Sequence, residues 1–215
     1  EFIKDSHDQL PVVRLLSEIA GTTSVLLAGE LLANTNGGNG VLMGGIAGVR
    51  PTEIVILGAG TVGEYASRAA LGLGANIRVF DESLSRLRRL QTSLGVRVST
   101  SMLDPKELEK SLMRCDVAIG ALRGNGRTPC VVSEKMVQKM KPGTVIIDLS
   151  IDNGGCFETS EITTHTQPII IKHDVIHYAV PNITSRVART SSKALSNFFM
   201  TYLLTIAKDG GFERV

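Results

Sequence analysis

"IVILGAGTVGEYASRAALGLGANIRVFDES" (residues 54–83) decides how this chain is read. An apolar run, Ile54-Val55-Ile56-Leu57, leads into Gly58-Ala59-Gly60-Thr61-Val62-Gly63, and a helical pattern opens at Thr61. A G-x-G-x-x-G string alone says little in a chain with 22 glycines. Between a strand and a helix it has a mechanism. Gly58 permits the tight turn, Gly60 lets a diphosphate approach the backbone where a Cβ would collide, and Gly63 lets the helix pack closely on the strand. The helix N-terminus adds unpaired N–H donors and a partial positive charge. The next apolar run, Ile77 to Phe80, ends in Asp81. That places a carboxylate about 20 residues past the glycines, where it would hydrogen-bond a ribose 2′-OH and repel a 2′-phosphate. NAD is therefore favoured over NADP, with Arg86 as a basic residue able to compensate. Two readings stand beside this one: a Rossmann domain for another nucleoside ligand such as S-adenosylmethionine, and Asp81 as a helix cap without ligand contact.

Working outward, short apolar runs alternate with helical stretches. Ile54–Leu57, Ile77–Phe80, Val96–Val98, Val117–Ile119, Val145–Asp148, Ile169–Ile171 and Ile176–Val180 read as strands, and 61–73, 83–94, 104–113 and 133–140 as helices. This alternation predicts an α/β fold: a Rossmann doubly wound parallel sheet with helices on both faces. A further helix is expected from Pro11 to about Leu32, ended by the loop "NTNGGNG" (34–40). The last helix carries Leu195, Phe198, Phe199, Tyr202, Leu203 and Ile206 at helical spacing, with Gly210-Gly211 as a stop. Such a stripe either covers the sheet or docks onto a second lobe.

Composition narrows the function classes. Apolar residues make up 43% and charged residues 20%, with a formal net charge of +2. No strong field for nucleic acid or an anionic membrane follows from that. The basic run "RLRR" (86–89) is expected on a solvated helix face. Cys115, Cys130 and Cys156 form no C-x-x-C pair and are read as reduced thiols of a cytoplasmic protein. No metal cluster is expected. No apolar run is read as approaching the roughly 20 residues of a membrane span, so neither a membrane nor nucleic acid is an expected partner.

A second unusual stretch is "KPGTVIIDLSIDNGGCFETS" (141–160). Loops after the carboxyl ends of strands line the ligand crevice of a doubly wound sheet, so Asp152 would face the nicotinamide half of a dinucleotide. The other reading makes Asp148 and Asp152 turn or capping residues.

"SEIAG" (17–21), "GGIAGVRP" (44–51), "VILGAGTVGEYASRAALGLGA" (55–75), "MKPGTVIIDLSIDNGGCFE" (140–158) and "VPNITSRVARTSSKALSN" (180–197) together resemble the alanine dehydrogenase family, over essentially the whole chain. The wider group includes the nucleotide-binding subunit of proton-translocating transhydrogenase, which carries a long mobile loop where "LRGNGRTPC" (122–130) is short. The resemblance implies NAD-linked, reversible oxidative deamination of L-alanine to pyruvate and ammonia. A homo-oligomer is expected, with L-alanine or pyruvate as the substrate of the full-length protein. Position by position, it implies that Ser17 touches the pyrophosphate and that Gly58, Gly60, Thr61 and Val62 form the phosphate turn, to which the glycine motif adds Gly63. Asp81 becomes the ribose carboxylate, Arg86 lies at the adenosine end, and Leu122 and Ile151 pack along the cofactor. Asn182 falls beside the nicotinamide, and Asp152 is the catalytic acidic residue. The alternatives are a transhydrogenase component and a non-enzymatic nucleotide-sensing module.

The family's substrate lobe, with its arginine, lysine and histidine, comes mainly from text that would precede this chain. None of His7, His165, His173 and His177 matches that histidine, and His173 and His177 are expected to decorate a strand. The domain expectation is a disordered or tag-derived start over 1–10, an NAD-binding Rossmann domain over 11–188, and over 189–215 a C-terminal helix that packs on the substrate lobe. The chain, beginning at Glu1, is read as a truncated piece that binds NAD weakly and does not turn over alone.

Overall fold

The structure, a computed structural model, describes residues 3–5, 9–124 and 126–208. The expected glycine stop at 210–211, His7, Asn125 and part of the 1–10 start lie outside the described residues.

Helix α1 (Pro11–Leu31) opens the fold with Pro11 in its first turn, where the missing N–H costs nothing. After it come β1 (Glu53–Leu57), α2 (Thr61–Gly72), β2 (Asn76–Asp81), α3 (Leu84–Leu94), β3 (Ser99–Met102), α4 (Pro105–Leu112) and β4 (Val117–Gly120). The second half adds α5 (Glu134–Val137), β5 (Val145–Asp148), β6 (Ile169–Lys172), β7 (Val175–Tyr178) and α6 (Ala188–Lys208). Local chemistry sets several boundaries. The Ser83 hydroxyl accepts from Arg86 N at the start of α3, and Gly95, at φ 69°, ends it. Asp104 caps α4 by accepting from Glu107 N at 2.9 Å, with Pro105 next.

The seven strands lie in the order β3-β2-β1-β4-β5-β7-β6. All neighbours pair in parallel except β6 with β7. Strand order reverses between β1 and β4, which makes a crevice at their carboxyl ends. Both faces are buried in alternation. Ile54, Ile56, Val79, Ile119 and Ile147 pack with Val25 and Ala28 of α1, Ala66 of α2 and Leu90 of α3. Val55, Leu57, Phe80, Ala118 and Ile146 pack with Leu108 and Leu112 of α4. Burial of one such large aliphatic side chain is worth roughly 1.5–3 kcal/mol, so both layers contribute to holding the sheet. Helices α1 and α2 cross at backbone contact: a Cβ on Gly21 would lie 2.3 Å from the Val62 carbonyl oxygen.

Three expectations need correction. The third strand is Ser99–Met102, not Val96–Val98; it is a polar edge strand, and the apolar residues before it lie in the turn after Gly95. The sheet is not wholly parallel, because β6 and β7 form a hairpin through His173 and Asp174, both at positive φ (53° and 58°). The helix expected over 133–140 is a single turn. Of the two readings of the aromatic stripe, cover over the sheet is not what α6 provides. Phe199 is 37%, Tyr202 37% and Leu203 50% exposed, while the Phe198 ring rests on Phe199 and Tyr202 at centroid distances of 5.4 and 4.8 Å.

Among the described residues, α1 is long and apolar enough by length and composition to cross a membrane, with mean hydropathy 1.3 over its best window. That corrects the reading that no apolar run approaches such a length. In this fold α1 lies along α2, and 39% of that window is buried.

Candidate functional site

The turn after β1 is built from glycines with different reasons to be glycine. Gly58 has φ 111°, donates its N–H to Phe80 O at 2.7 Å, and has no room for a Cβ, which would sit 2.4 Å from the Ala121 carbonyl oxygen. A Cβ on Gly63 would lie 1.9 Å from the Gly58 carbonyl oxygen. The fold itself requires both. At Gly60, with an unstrained φ of −76°, nothing lies within 4 Å of a Cβ position. No protein contact requires glycine there, and the space in front of it is open.

Asp81, the last residue of β2, is 1% exposed. Its Oδ2 accepts from Ala59 N at 2.7 Å and its Oδ1 from Ser83 N at 2.7 Å, so the carboxylate ties the glycine turn to the start of α3. Arg86 Nη1 stands 3.8 Å from Oδ1. Arg89 donates to the Ala59 carbonyl at 3.2 Å. The two arginines sit three residues apart on α3, hence on one helix face. Both line the crevice; the face is solvated, as expected of "RLRR", with Arg86, Arg88 and Arg89 all exposed.

A cavity of about 590 Å³ opens here and brings together Ser17, Gly58, Gly60, Thr61, Val62, Asp81, Arg86 and Leu122. Sequence reasoning missed Arg14, Arg89 and Arg123, which line it too; the i, i+3 spacing of Arg86 and Arg89 was the available signal. Four arginines face two lining carboxylates, Asp81 and Glu64. Burial raises the Glu64 carboxyl, but hydrogen bonds from Ser93 and Arg68 outweigh it and hold the group below its ordinary value. The lining is net positive, and the first amides of α2, which have no intrahelical acceptor, open onto it.

Gly63 packs behind the turn instead of lining the cavity. Ile151, Asp152 and Asn182 are also outside its lining. They follow β5 and β7, so with Leu122 after β4 they continue a row along the same edge of the sheet. Ile151 is buried, and Asp152 is exposed in the one-turn 3-10 helix Ile151–Asn153. Asn182 is exposed at φ 55°, ψ 54°, and its Oδ1 accepts from the Thr184 hydroxyl at 2.7 Å.

The loop that presents Asp152 is organised by Asp148. Its Oδ1 accepts from Ser150 N at 3.0 Å, and its Oδ2 from Cys156 N at 3.0 Å and Phe157 N at 3.4 Å. Burial pushes the Asp148 carboxyl up, with these amides pulling the other way. The Ser150 hydroxyl ties this loop to the previous one through Leu122 O at 2.9 Å. Of the two aspartates read as possible capping residues, Asp148 is one. His177 is fully buried in β7, as expected of a strand residue. Its Nδ1 donates to Val175 O at 3.0 Å, and its Nε2 accepts from the Thr159 hydroxyl at 2.8 Å. Burial pushes its pKa down to about 4.

A doubly wound sheet with a helix N-terminus, an unobstructed glycine and a buried acid at its switch point defines a nucleotide-binding domain of the Rossmann class. The comparisons narrow this. The family described as alanine dehydrogenase/PNT, C-terminal domain, matches residues 24–215, and the chain belongs to that family. It is 42% identical over 211 residues to the alanine dehydrogenase of Mycolicibacterium smegmatis, covering 98% of this chain and 57% of that enzyme. A solved L-alanine dehydrogenase superposes with a TM-score of 0.91 at 39% identity, over 96% of this chain and 58% of that one. A transhydrogenase from Sinorhizobium meliloti does so at 0.74 and 26%, over 90% and 55%. The chain thus spans little more than half the length of these relatives.

Proposed function

We propose that this chain binds NAD in the crevice after β1 and forms the nucleotide-binding half of an enzyme that interconverts L-alanine with pyruvate and ammonia. The observation that carries the reading is Gly60: flanked by two glycines the fold demands, it is one the fold does not demand, and it faces open space. A diphosphate against the backbone is what such a position suits. The amides of Thr61 and Val62, with Ser17 beside them, hold the diphosphate. Asp81 has about four acceptor positions as a carboxylate, two of them taken by Ala59 and Ser83, and the remainder receive the ribose hydroxyls. Arg86 sits at the adenosine end. Leu122, Ile151 and Asn182 carry the row toward the nicotinamide, and Asp152 orients water or ammonia at the reacting carbon. When bound, NAD supplies the hydride acceptor. The chain's own part is to hold and orient, and orientation is the larger share of such a rate gain. The proposal includes the C-terminal helix as the segment that packs on a substrate lobe, a homo-oligomeric assembly, and a cytoplasmic setting, which unpaired thiols suit.

A transhydrogenase component is the second reading, supported by the likeness to the S. meliloti protein. The higher identity and TM-score favour alanine dehydrogenase.

Calorimetric titration of this chain with NAD, NADP and S-adenosylmethionine tests the reading. NAD should bind, weakly, and in preference to the other two; Asp81→Ala should narrow the preference over NADP, and Gly60→Val should abolish binding. Tighter binding of S-adenosylmethionine, or NAD binding untouched by Gly60→Val, would overturn it. The chain alone should show no oxidation of NADH with pyruvate and ammonia, whereas the full-length protein should.

A further inference from the structure

A second depression, of about 460 Å³, opens at the other end of the same strands, where β1, β2 and β3 begin. Its floor is apolar, from Ile54, Ile77 and Val98, and its rim carries Arg78, Arg97 and Arg114 with the hydroxyls of Ser99 and Ser111. Arg78 is held in place. Its Nη1 donates to Ser111 Oγ at 3.1 Å, its Nη2 to Glu107 Oε2 at 3.3 Å, and its guanidinium lies 5.3 Å above the Phe80 ring. Its Nε is buried without a hydrogen-bond partner. A donor buried without an acceptor is costly, and a small shift of the guanidinium toward an anion in the depression would supply one. Arg97 and Arg114 are exposed and form no ion pair or side-chain hydrogen bond among the described residues. The one carboxylate in the lining, Glu53, is engaged by Asn76 Nδ2 at 2.8 Å. Glu107, paired with Arg78 at 3.3 Å, lies outside the lining; with it counted, three guanidiniums face two carboxylates, and the depression stays net positive.

We propose that this depression is a second anion site, separate from the nucleotide crevice, that takes a small phosphate-bearing metabolite. Arginine is the residue for that task because its planar fork matches phosphate oxygens and its charge is permanent. Arg78 is the pre-positioned anchor, Arg97 and Arg114 close over the ligand from the rim, and Ser99 offers a hydroxyl donor, while the Ser111 hydroxyl, which donates to Glu107 O at 2.8 Å, serves only to hold Arg78. The site is independent of the NAD reading, since it uses no residue of the glycine turn.

Amide NMR shifts of the whole chain during titration with pyrophosphate test this. Saturable shifts are expected at Asn76, Ser99, Arg114 and Cys115. Arg97→Ala with Arg114→Ala should weaken them by at least about tenfold (about 1.4 kcal/mol) while NAD-induced shifts at Gly60 and Thr61 stay unchanged. Neither side chain has a partner among the described residues, so a matching thermal melt is expected of the double variant, and Arg97→Glu should weaken pyrophosphate in the same direction. Shifts confined to Gly60–Val62, equal affinity in wild type and the double variant, or succinate binding as tightly as pyrophosphate would each overturn the assignment. Loss of NAD shifts with the pyrophosphate shifts intact would sink the dinucleotide reading and leave this one standing.

Discussion

Two loops leave the carboxyl edge of the sheet under the control of a buried aspartate, and they are built for opposite purposes. After β1, Asp81 gathers the amides of Ala59 and Ser83 and borders a cavity. After β5, Asp148 gathers Ser150, Cys156 and Phe157 inside a packed shell, where a Cβ on Gly120 would lie 2.5 Å from Cys156 Sγ. The first arrangement leaves open space in front of Gly60. The second leaves no space within and presents Asp152 on its outer surface. The same device, a strand-end carboxylate satisfying loop amides, thus yields a cradle in one place and a platform in the other, and the difference lies in what fills the volume around it.

The sharpest way to break that contrast lies within the cradle. Gly63→Ala should cost at least about 4 kcal/mol in chemical denaturation, because its Cβ would meet backbone and not a movable side chain. Gly60→Ala should cost less than about 1 kcal/mol yet lower NAD affinity at least tenfold. Equal destabilisation by the two would mean that Gly60 is structural and that the cradle is not one.

On the platform, Asp148→Ala strips acceptors from three loop amides, and a loss of about 3 kcal/mol is expected. Hydrogen exchange should then rise at Ser150, Cys156 and Phe157 but not at Ala59. Acid should also find the platform first. His177 ionises near about 4 in the fold against 6.5 in the unfolded chain. Its neutral form therefore stabilises the native state above pH 6.5, and that contribution, about 2–3 kcal/mol, is lost as pH falls from 6.5 to about 4. Asp148, raised by burial, works in the opposite direction, gaining stability as pH falls. Comparing wild type with His177→Gln over pH 7 to 4 isolates the histidine: the variant's stability should fall less steeply. Because Thr159 donates to His177, amides after Phe157 should lose protection before those at Gly58–Val62. The smallest effect is expected where neither loop is touched. Asp174→Gly in the β6–β7 turn relieves a left-handed residue and should stabilise by about 0.5 kcal/mol, read as a small rise in Tm with NAD affinity unchanged.

How far these features show in the sequence follows from how local their causes are. The strand, glycine turn, helix and acid of residues 54–81 obey rules of short range, and each stands where spacing predicts it. The third strand escaped because Ser-Thr-Ser-Met at a sheet edge carries no apolar run, while Val96 and Val98 beside it do. The antiparallel pairing of β6 and β7 was recoverable. The few residues between the two apolar runs cannot hold a crossover, and only a hairpin closes that gap. Arg89 went unnoticed because a charge run reads as solvated until the turn it reaches, 30 residues earlier in the chain, is brought beside it.

By itself, the sequence determined the alternation of strands and helices, the glycine turn and the acid that follows it, since periodicity and turn chemistry act between near neighbours. Only the tertiary structure decided which glycine faces open space, that Asp148 and not Asp152 holds the second loop together, and that the aromatic stripe of α6 stays largely exposed. Each of these depends on which groups fill the volume around a residue, and that volume is set by segments distant along the chain.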